Sequence, residues 1–238
     1  QYLSLLFTEI YLDWYFNKKQ QLIDGLNQEL TSFNKENKVA DNFQSYILDE
    51  LNKLAFWNAT GSGKTLLLHV NILQYLHYFQ AGNVHHYPDK IILLTPDERL
   101  SAQHLAELHD SGFDHVKLFD KNTNTPFKGT IEVIDINKLA DDMGAKTVAV
   151  EAFEGNNLVL IDEGHKGTGT AAGAWMRRRD TLTKDGFAFE YSATFGQAVA
   201  DGKTVGAVKI DIQKNKAKLL FEMTALNKLD DEQLSKLE

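Results

Sequence analysis

Several short apolar runs in this sequence do not alternate with polar residues, and they constrain the fold more than any other feature. Examples are I-I-L-L at residues 91–94 and L-V-L-I at residues 158–161. A strand with one face in water alternates apolar and polar side chains, whereas a strand buried on both faces reads as a continuous apolar run. Segments with apolar residues at helical spacing separate these runs. The pattern therefore predicts an α/β fold with a mostly parallel central sheet flanked by helices.

Spacing and turn residues also predict where the elements lie. The predicted helices are 2–33, 43–54, 65–79, 100–109, 138–143, 175–183 and 230–237, and the predicted strands are 54–57, 91–94, 116–119, 131–134, 158–161, 187–192 and 205–212. Ser101 is expected to cap the helix at 100–109, and the polar residues 31–42 are expected to form a loop.

A glycine-rich turn, N-A-T-G-S-G-K-T at residues 58–65, joins the predicted strand 54–57 to the next predicted helix. Backbone N–H groups in such a turn line a concave nest for phosphate oxygens, and the helix dipole adds to the attraction. The lysine supplies charge to the phosphates and the threonine hydroxyl can ligate Mg²⁺. Asn58 stands where the strict pattern has glycine. The residues predicted to bind nucleotide phosphates are Ala59, Thr60, Gly61, Ser62, Gly63, Lys64 and Thr65.

The segment N-L-V-L-I-D-E-G-H-K-G, residues 157–167, has three interpretations by itself. It is a buried strand that ends in a polar turn, a metal-ligand cluster, or the acidic half of a nucleotide-hydrolysis site. A phosphate loop requires such an acidic partner, and ligands gather at the carboxyl ends of parallel strands. The third interpretation is therefore favoured, with Asp162 and Thr65 holding Mg²⁺ and Glu163 orienting the attacking water.

Composition excludes some classes of protein. There is no cysteine, which rules out disulfides and thiolate zinc sites and favours a reducing, cytoplasmic location. No apolar run approaches the roughly 20 residues that span a bilayer, so no membrane partner is expected. The first residues lack the basic region of a signal peptide, and the absence of an initial Met indicates a fragment. The net charge of -8 argues against nucleic acid as a partner of the whole surface, but it allows a local basic groove.

Three motifs, A-T-G-S-G-K-T, D-E-G-H and S-A-T-F, occur in that order. Together they resemble the first motor domain of superfamily 2 helicases and translocases. The sequence F-E-Y-S-A-T-F-G-Q-A is most similar to the motor regions of type III restriction enzymes and related bacterial defence helicases. Residues 93–104 and 131–139 resemble segments that contact the nucleic-acid backbone in that family. The resemblance covers roughly residues 43–197 and implies a RecA-like P-loop domain, ATP and Mg²⁺ as cofactors, and nucleic acid, expected to be double-stranded DNA, as a partner.

The resemblance also implies roles for individual residues. Lys64 and Glu163 would serve hydrolysis, Ser192 and Thr194 would link hydrolysis to domain movement, and His165 would bridge the acidic box to them or simply pack beside it. The residues implied to contact nucleic acid are Thr95, Pro96 and Arg99, and the residue implied to read adenine is Gln44. The triplet Arg177, Arg178 and Arg179 is a solvated face or a phosphate contact.

The expected organisation is an N-terminal helical extension at 1–42, a RecA-like ATP-binding domain at 43–200, and a segment at 201–238 that leads toward a second motor domain. That second RecA-like domain, of this or another chain, would supply arginine fingers, for which the sequence contains no motif. Nuclease or methyltransferase subunits are further implied partners. Two functions remain open: an ATP-dependent DNA translocase or helicase, and an ATP-sensing scaffold that does not translocate.

Overall fold

The computed structural model describes residues 1–37, 44–59, 61–81, 85–120, 122, 127–140, 148–162 and 172–193. The chain divides into two compact units, a larger one over Asn52–Phe195 and a smaller one that contains Tyr2–Leu51. The domain boundaries expected from the sequence stay predictions, and the elements expected at 205–212 and 230–237 lie outside the described residues. Among the helices of the described ranges, none has an apolar stretch long enough to cross a membrane.

The described part of the smaller unit contains two helices, α1 (Tyr2–Asn17) and α2 (Lys19–Asn37), and a 3-10 turn at Leu48–Leu51. The N-terminal helices agree with the helical spacing, but the loop predicted at 31–42 is wrong for residues 31–37, which continue α2. The Tyr11 hydroxyl is buried and donates a hydrogen bond of 2.6 Å to the carbonyl of Leu51, which ties α1 to the 3-10 turn.

The helix predicted at 43–54 is also wrong. Residues 44–47 have no regular structure, and a strand begins at Lys53. The Asn27 side chain binds both main-chain groups of Tyr46: its Nδ2 donates to the Tyr46 carbonyl at 3.0 Å, and its Oδ1 accepts from the Tyr46 N–H at 2.7 Å. Because a helix needs those same groups for its own hydrogen bonds, this clamp favours an extended chain there.

The larger unit is built around one parallel sheet. In chain order its elements are β1 (Lys53–Trp57), α3 (Lys64–Gln80), β2 (Ile91–Thr95), α4 (Glu98–Asp110), β3 (Val116–Leu118), β4 (Ile131–Asp135), β5 (Leu139–Ala140), β6 (Val148–Ala149), β7 (Leu158–Asp162), α5 (Ala172–Thr183) and β8 (Phe187–Ser192), with 3-10 turns at Ile136–Lys138 and Val150–Phe153. Six strands pair in the order β1-β8-β7-β2-β4-β3, all parallel, and β5 pairs with β6 in a separate ribbon.

Both faces of the sheet are covered, as the apolar runs predict. On one face, the ring of Tyr75 from α3 packs against Phe187 at 5.3 Å and against Phe189 at 6.4 Å between centroids. On the other face a buried cluster includes Val159 of β7 and Leu182 of α5. Every residue of β2, β4 and β8 is buried. The predicted α/β fold with a mostly parallel sheet is therefore confirmed.

Two local predictions in this unit are wrong. The cap of α4 is Asp97, whose carboxylate accepts the N–H of Leu100 at 2.9 Å. Ser101 lies inside the helix and is buried, with its hydroxyl 2.6 Å from that of Thr95. The helix predicted from Lys138 is replaced by the end of a 3-10 turn and by β5, and residues 141–147 lie outside the described ranges.

Candidate functional site

The polar residues singled out in the sequence gather at the carboxyl edge of the sheet. Trp57 at the end of β1 is in register with Ser192 at the end of β8, and Tyr191 of β8 is in register with Asp162 at the end of β7. Thr95 ends β2, the next strand beyond β7. Since all these strands are parallel, the glycine-rich loop and the acidic strand end lie on the same edge with only β8 between them.

The loop after β1 is held by main-chain hydrogen bonds and contains two glycines in the left-handed region. The N–H of Asn58 donates to the carbonyl of Ser192 at 3.1 Å, and the N–H of Ser62 donates to the carbonyl of Ala59 at 3.1 Å. Gly61 and Gly63 have φ values of 75° and 83°, in the left-handed region that L side chains rarely adopt. A Cβ on Gly61 would meet nothing within 4 Å, so conformation rather than space requires glycine there. Thr60 lies outside the described residues.

The side chains around this loop fit a phosphate and a hard cation. The Ser62 hydroxyl is buried and has no hydrogen-bond partner among the described residues. Helix α3 begins at Lys64, whose Nζ makes a long contact of 3.5 Å with the carbonyl of Asn58. Thr65 follows in the first turn, where N–H groups lack partners within the helix. The threonine hydroxyl and the carboxylate across β8 are the oxygen ligands that Mg²⁺ prefers.

Asp162 makes a contact that the sequence reasoning missed. Its Oδ2 lies 3.0 Å from Nε2 of His104 on α4, and both side chains are shielded from solvent, at 15% and 5% exposed. Helical spacing could have indicated that His104 is buried, because it shares one face of α4 with the buried residues Ser101 and Leu108. The two predicted partners of Asp162 in the acidic box, Glu163 and His165, lie outside the described residues.

Buried titratable groups surround this pair. Burial lowers the pKa of His69 on α3, the nearby His104 lowers it further, and Glu107 opposes the shift. Burial raises the pKa of Tyr191 well above its usual value, with the charge of Asp162 as a second cause. The Tyr191 hydroxyl donates to Oδ1 of Asn71 at 2.7 Å and is therefore held as a neutral donor. Within the described ranges, no group of three or more His, Asp or Glu side chains is placed to hold a metal ion.

A model of the family described as type III restriction enzyme, res subunit, matches residues 18–228, most of the chain. The chain belongs to this family. The membership confirms the resemblance to the helicase-like motor regions of type III restriction enzymes, and it fits the mostly parallel six-stranded sheet.

The chain is also similar to parts of known proteins. It matches S. cerevisiae Dbp5 bound to Gle1 and IP6 at 18% identity and a TM-score of 0.44, over 73% of this chain and 46% of that one. It matches the Arterivirus nonstructural protein 10 helicase with DNA at 16% identity and a TM-score of 0.34, over 60% of this chain and 29% of that one. Among curated proteins, the metal transporter cnnm-2 of Caenorhabditis elegans is 27% identical over 75 residues, which is 32% of this chain and 10% of that protein. The chain thus spans less than half of each.

The residues predicted to contact nucleic acid differ in their exposure to solvent. Arg99 is exposed on the first turn of α4, and Pro96 is half-buried beside it. Thr95 is fully buried, and its hydroxyl bonds to Ser101 at 2.6 Å and lies 3.3 Å from the carbonyl of Ile134. The Thr95 side chain therefore supports the loop from inside, whereas Pro96 and Arg99 lie at its surface.

Of the other candidates, one belongs to the smaller unit and one is buried at this edge. Gln44 is exposed and belongs to the smaller unit, and its role with adenine stays a prediction. Ser192 is fully buried at the end of β8, and its carbonyl accepts from the N–H of Asn58 in the glycine-rich loop. Thr194 lies outside the described residues.

The arginine triplet of α5 is not a uniformly solvated face. Arg177 is exposed, but Arg179 is 5% exposed and pairs with Glu190 of β8 at 3.2 Å. It also reaches Asp180 at 3.1 Å. The expectation of a solvated run is therefore wrong for Arg179. A buried guanidinium already bound to two carboxylates is not available to phosphate, so its role is structural.

Proposed function

We propose that this chain is the first motor domain of an ATP-dependent translocase or helicase that acts on double-stranded DNA in a bacterial restriction or phage-defence system. The observation that carries the proposal is the position of the glycine-rich loop and Asp162 on one sheet edge, separated only by β8. Nucleotide hydrolysis needs a phosphate cradle and an acidic metal site within the reach of one bound molecule. Membership of the res-subunit family supports the same activity.

The phosphate cradle in this proposal consists of residues 59–65. Gly61 and Gly63 have left-handed conformations, and N–H groups in a turn of this kind would line a nest for the phosphate oxygens. The Ser62 hydroxyl, buried without a partner among the described residues, donates to a phosphate oxygen. Lys64 exchanges its long contact with the Asn58 carbonyl for the β- and γ-phosphates. Gln44 reads the adenine ring.

The metal ligands in this proposal are Thr65 and Asp162, the latter through water. Mg²⁺ supplies positive charge that neutralises the phosphate oxygens. Glu163, next to Asp162 in the chain, orients and activates the attacking water. Asp162 and Glu163 are adjacent in the chain, and each would perform one of these two tasks.

Strand β8 is suited to couple hydrolysis to movement. It pairs with β1 on one side and with β7 on the other, so Ser192 lies between the phosphate loop and the acidic strand end. The Ser192 carbonyl already bonds the loop through Asn58. We assign Ser192 and Thr194 to this coupling, with His165 as the bridge to the acidic box.

DNA binds near the start of α4 in this proposal, at Pro96 and the exposed Arg99, over the buried Thr95. A second RecA-like domain, of this or another chain, supplies arginine fingers that raise the hydrolysis rate by a factor of about 10³ to 10⁵. This chain therefore binds ATP but hydrolyses it slowly by itself. Nuclease or methyltransferase subunits complete the system, which works in the cytoplasm.

The net charge of -8 favours an alternative function, an ATP-sensing scaffold that controls assembly without translocation.

Fluorescent ATP analogues test the nucleotide site on this chain. Lys64→Ala should weaken Mg-ATP binding at least about tenfold, because a charge-assisted contact to phosphate is worth ~1.5–3 kcal/mol. Lys184→Ala is the matched control, since Lys184 is exposed just before β8, at the opposite edge of the sheet. Equal affinities of the two variants would remove the loop from nucleotide binding.

Turnover tests the choice between motor and scaffold. In the complete protein that carries both motor domains, Glu163→Gln should retain ATP binding and abolish hydrolysis. Duplex DNA should stimulate hydrolysis by the unaltered protein. An ATPase rate that no nucleic acid changes would instead support the scaffold.

A further inference from the structure

The contact between His104 and Asp162 joins two elements that are distant in sequence. His104 lies in the middle of α4, and Asp162 is the last residue of β7, 58 positions later. The Nε2–Oδ2 distance is 3.0 Å, and the two side chains are 5% and 15% exposed. A contact of this length between shielded groups fixes the orientation of both.

The chemistry of the two groups determines the direction of the hydrogen bond. An ionised carboxylate is only an acceptor, so Nε2 of His104 carries the proton and donates to Oδ2. One oxygen of Asp162 is thereby held toward α4, and the plane of the carboxylate is fixed relative to the phosphate loop. Carboxylates that bind metals in proteins are held in this way by outer hydrogen bonds, whose loss typically costs about 10–100-fold in metal affinity.

The surroundings hold the imidazole ring in turn. Nδ1 of His104 faces Oε2 of Glu107, one turn further along α4, at 3.9 Å. Both of these atoms are buried and have no hydrogen-bond partner among the described residues. From α3, His69 approaches the same group and is itself fixed by a 2.8 Å contact with the hydroxyl of Ser111. The ring therefore has little freedom to leave Asp162.

We propose that His104 is a positioning residue that holds the carboxylate of Asp162 in the orientation in which it binds Mg²⁺ at the nucleotide site. The inference rests on the proposed function, because it assigns Asp162 to the metal. It adds a residue of α4 that touches neither nucleotide nor metal, and it predicts that this residue controls the affinity for the metal rather than the affinity for phosphate.

Two substitutions at His104 separate a donor from a space-filling side chain. His104→Leu keeps an apolar side chain of moderate size and removes the donor. His104→Gln places an amide Nε2–H near the position of the imidazole Nε2 and keeps the donor. His109→Leu is the matched control, because His109 is exposed on the last turn of the same helix.

The readout is the affinity for a fluorescent ADP analogue, measured in EDTA and across a Mg²⁺ titration. Electron paramagnetic resonance of Mn²⁺ provides a second measurement of metal binding. In His104→Leu, the metal concentration for half-maximal effect should rise about 10–100-fold, with the affinity in EDTA unchanged. His104→Gln should stay within about threefold of the unaltered chain, and His109→Leu should match it.

Three results would overturn the inference. The first is an unchanged Mg²⁺ and Mn²⁺ dependence in His104→Leu. The second is an equal loss of EDTA-state binding and of Tm in both His104 variants, which would assign a structural role. The third is an unaltered chain that binds no nucleotide at all; this result would overturn the proposed function first, and the role of His104 with it.

Discussion

The ion pair between Arg179 and Glu190 is the most deeply buried charged contact among the described residues, and its removal gives a sharp prediction. The two side chains are 6% and 3% exposed, and Nη1 of Arg179 lies 3.2 Å from Oε1 of Glu190. The perturbation is Arg179→Met, which keeps the length of the apolar stem and removes the charge. It leaves the Glu190 carboxylate buried, with its second oxygen already lacking a partner among the described residues.

The expected loss of stability in Arg179→Met can be estimated from the distance between the two charges and from their burial. At an effective dielectric constant of about 20, unit charges 3.2 Å apart attract by about 5 kcal/mol. Burial raises the pKa of Glu190, and the Arg179 guanidinium offsets only part of that rise, so desolvation exceeds the attraction. Removing one partner of a buried pair costs about 3–5 kcal/mol, whereas replacing both by apolar residues is often neutral or stabilising. Arg179→Met should therefore lose about 3–5 kcal/mol, and Arg179→Met with Glu190→Leu should recover most of it.

The effect of pH has a definite sign. Because the folded-state pKa of Glu190 is raised above its unfolded value, the contribution of this group to stability is fully present below the unfolded pKa. It is lost as the pH rises through the folded pKa. Arg179→Met removes a positive charge that lowers the pKa of Glu190, so the folded-state pKa of Glu190 rises further. The destabilisation of Arg179→Met should accordingly be larger at pH 8 than at pH 5.

The assay is urea unfolding followed by tryptophan fluorescence at both pH values. Arg177→Met is the control, because Arg177 is exposed on the same helix and should lose less than about 1 kcal/mol. The reasoning is refuted if Arg179→Met is as stable as this control. It is also refuted if the double replacement is no more stable than the single one, since the cost would then not come from an unpaired carboxylate.

Substitutions at three further positions are tested by the same unfolding assay. Asn27→Ala should lose about 1–3 kcal/mol, because both main-chain groups of Tyr46 lose their partner; an unchanged midpoint would contradict the clamp. Tyr191→Phe should lose about 1 kcal/mol with the bond to Asn71. Since burial raises the pKa of Tyr191, its stability contribution is lost as the pH rises above 10, and the Phe variant should resist alkaline unfolding better. Gly112→Ala should lose about 1–2 kcal/mol from its φ of 87° alone, because a Cβ there meets nothing, and Gly112→Asn should lose less.

The fold was predictable because its strongest signals are local. A strand buried on both faces does not alternate polar and apolar side chains. The continuous apolar runs of β2 and β7 therefore predict buried strands of a parallel sheet. The turn between β1 and α3 was predictable for a similar reason. Gly61 and Gly63 have positive φ values, and a sequence with two glycines in the three residues before Lys64 indicates a tight turn between a strand and a helix. That this turn binds phosphate stays a prediction.

The contacts that depend on sheet order and helix rotation were not predictable. His104 meets Asp162 because β7 pairs with β2, and α4 follows β2 directly in the chain. Arg179 differs from its neighbour Arg177 only in which side of α5 it occupies, and a run of three arginines hides that difference. Asn27 overrides the helical pattern of residues 43–54 from 19 positions away. In each case the environment of a residue depends on a side chain elsewhere in the sequence, which a local sequence pattern does not show.

Asn58, the one departure from the strict loop pattern, gives the last prediction. Both of its hydrogen bonds among the described residues use main-chain atoms: its N–H donates to Ser192, and its carbonyl accepts from Lys64. Any residue with the same backbone conformation supplies these atoms. Asn58→Ala should therefore change the affinity for Mg-ATP less than about threefold, whereas Lys64→Ala lowers it at least about tenfold. A loss in Asn58→Ala as large as in Lys64→Ala would show that the amide side chain itself contacts nucleotide. The departure would then be a specific feature of this site rather than a tolerated substitution.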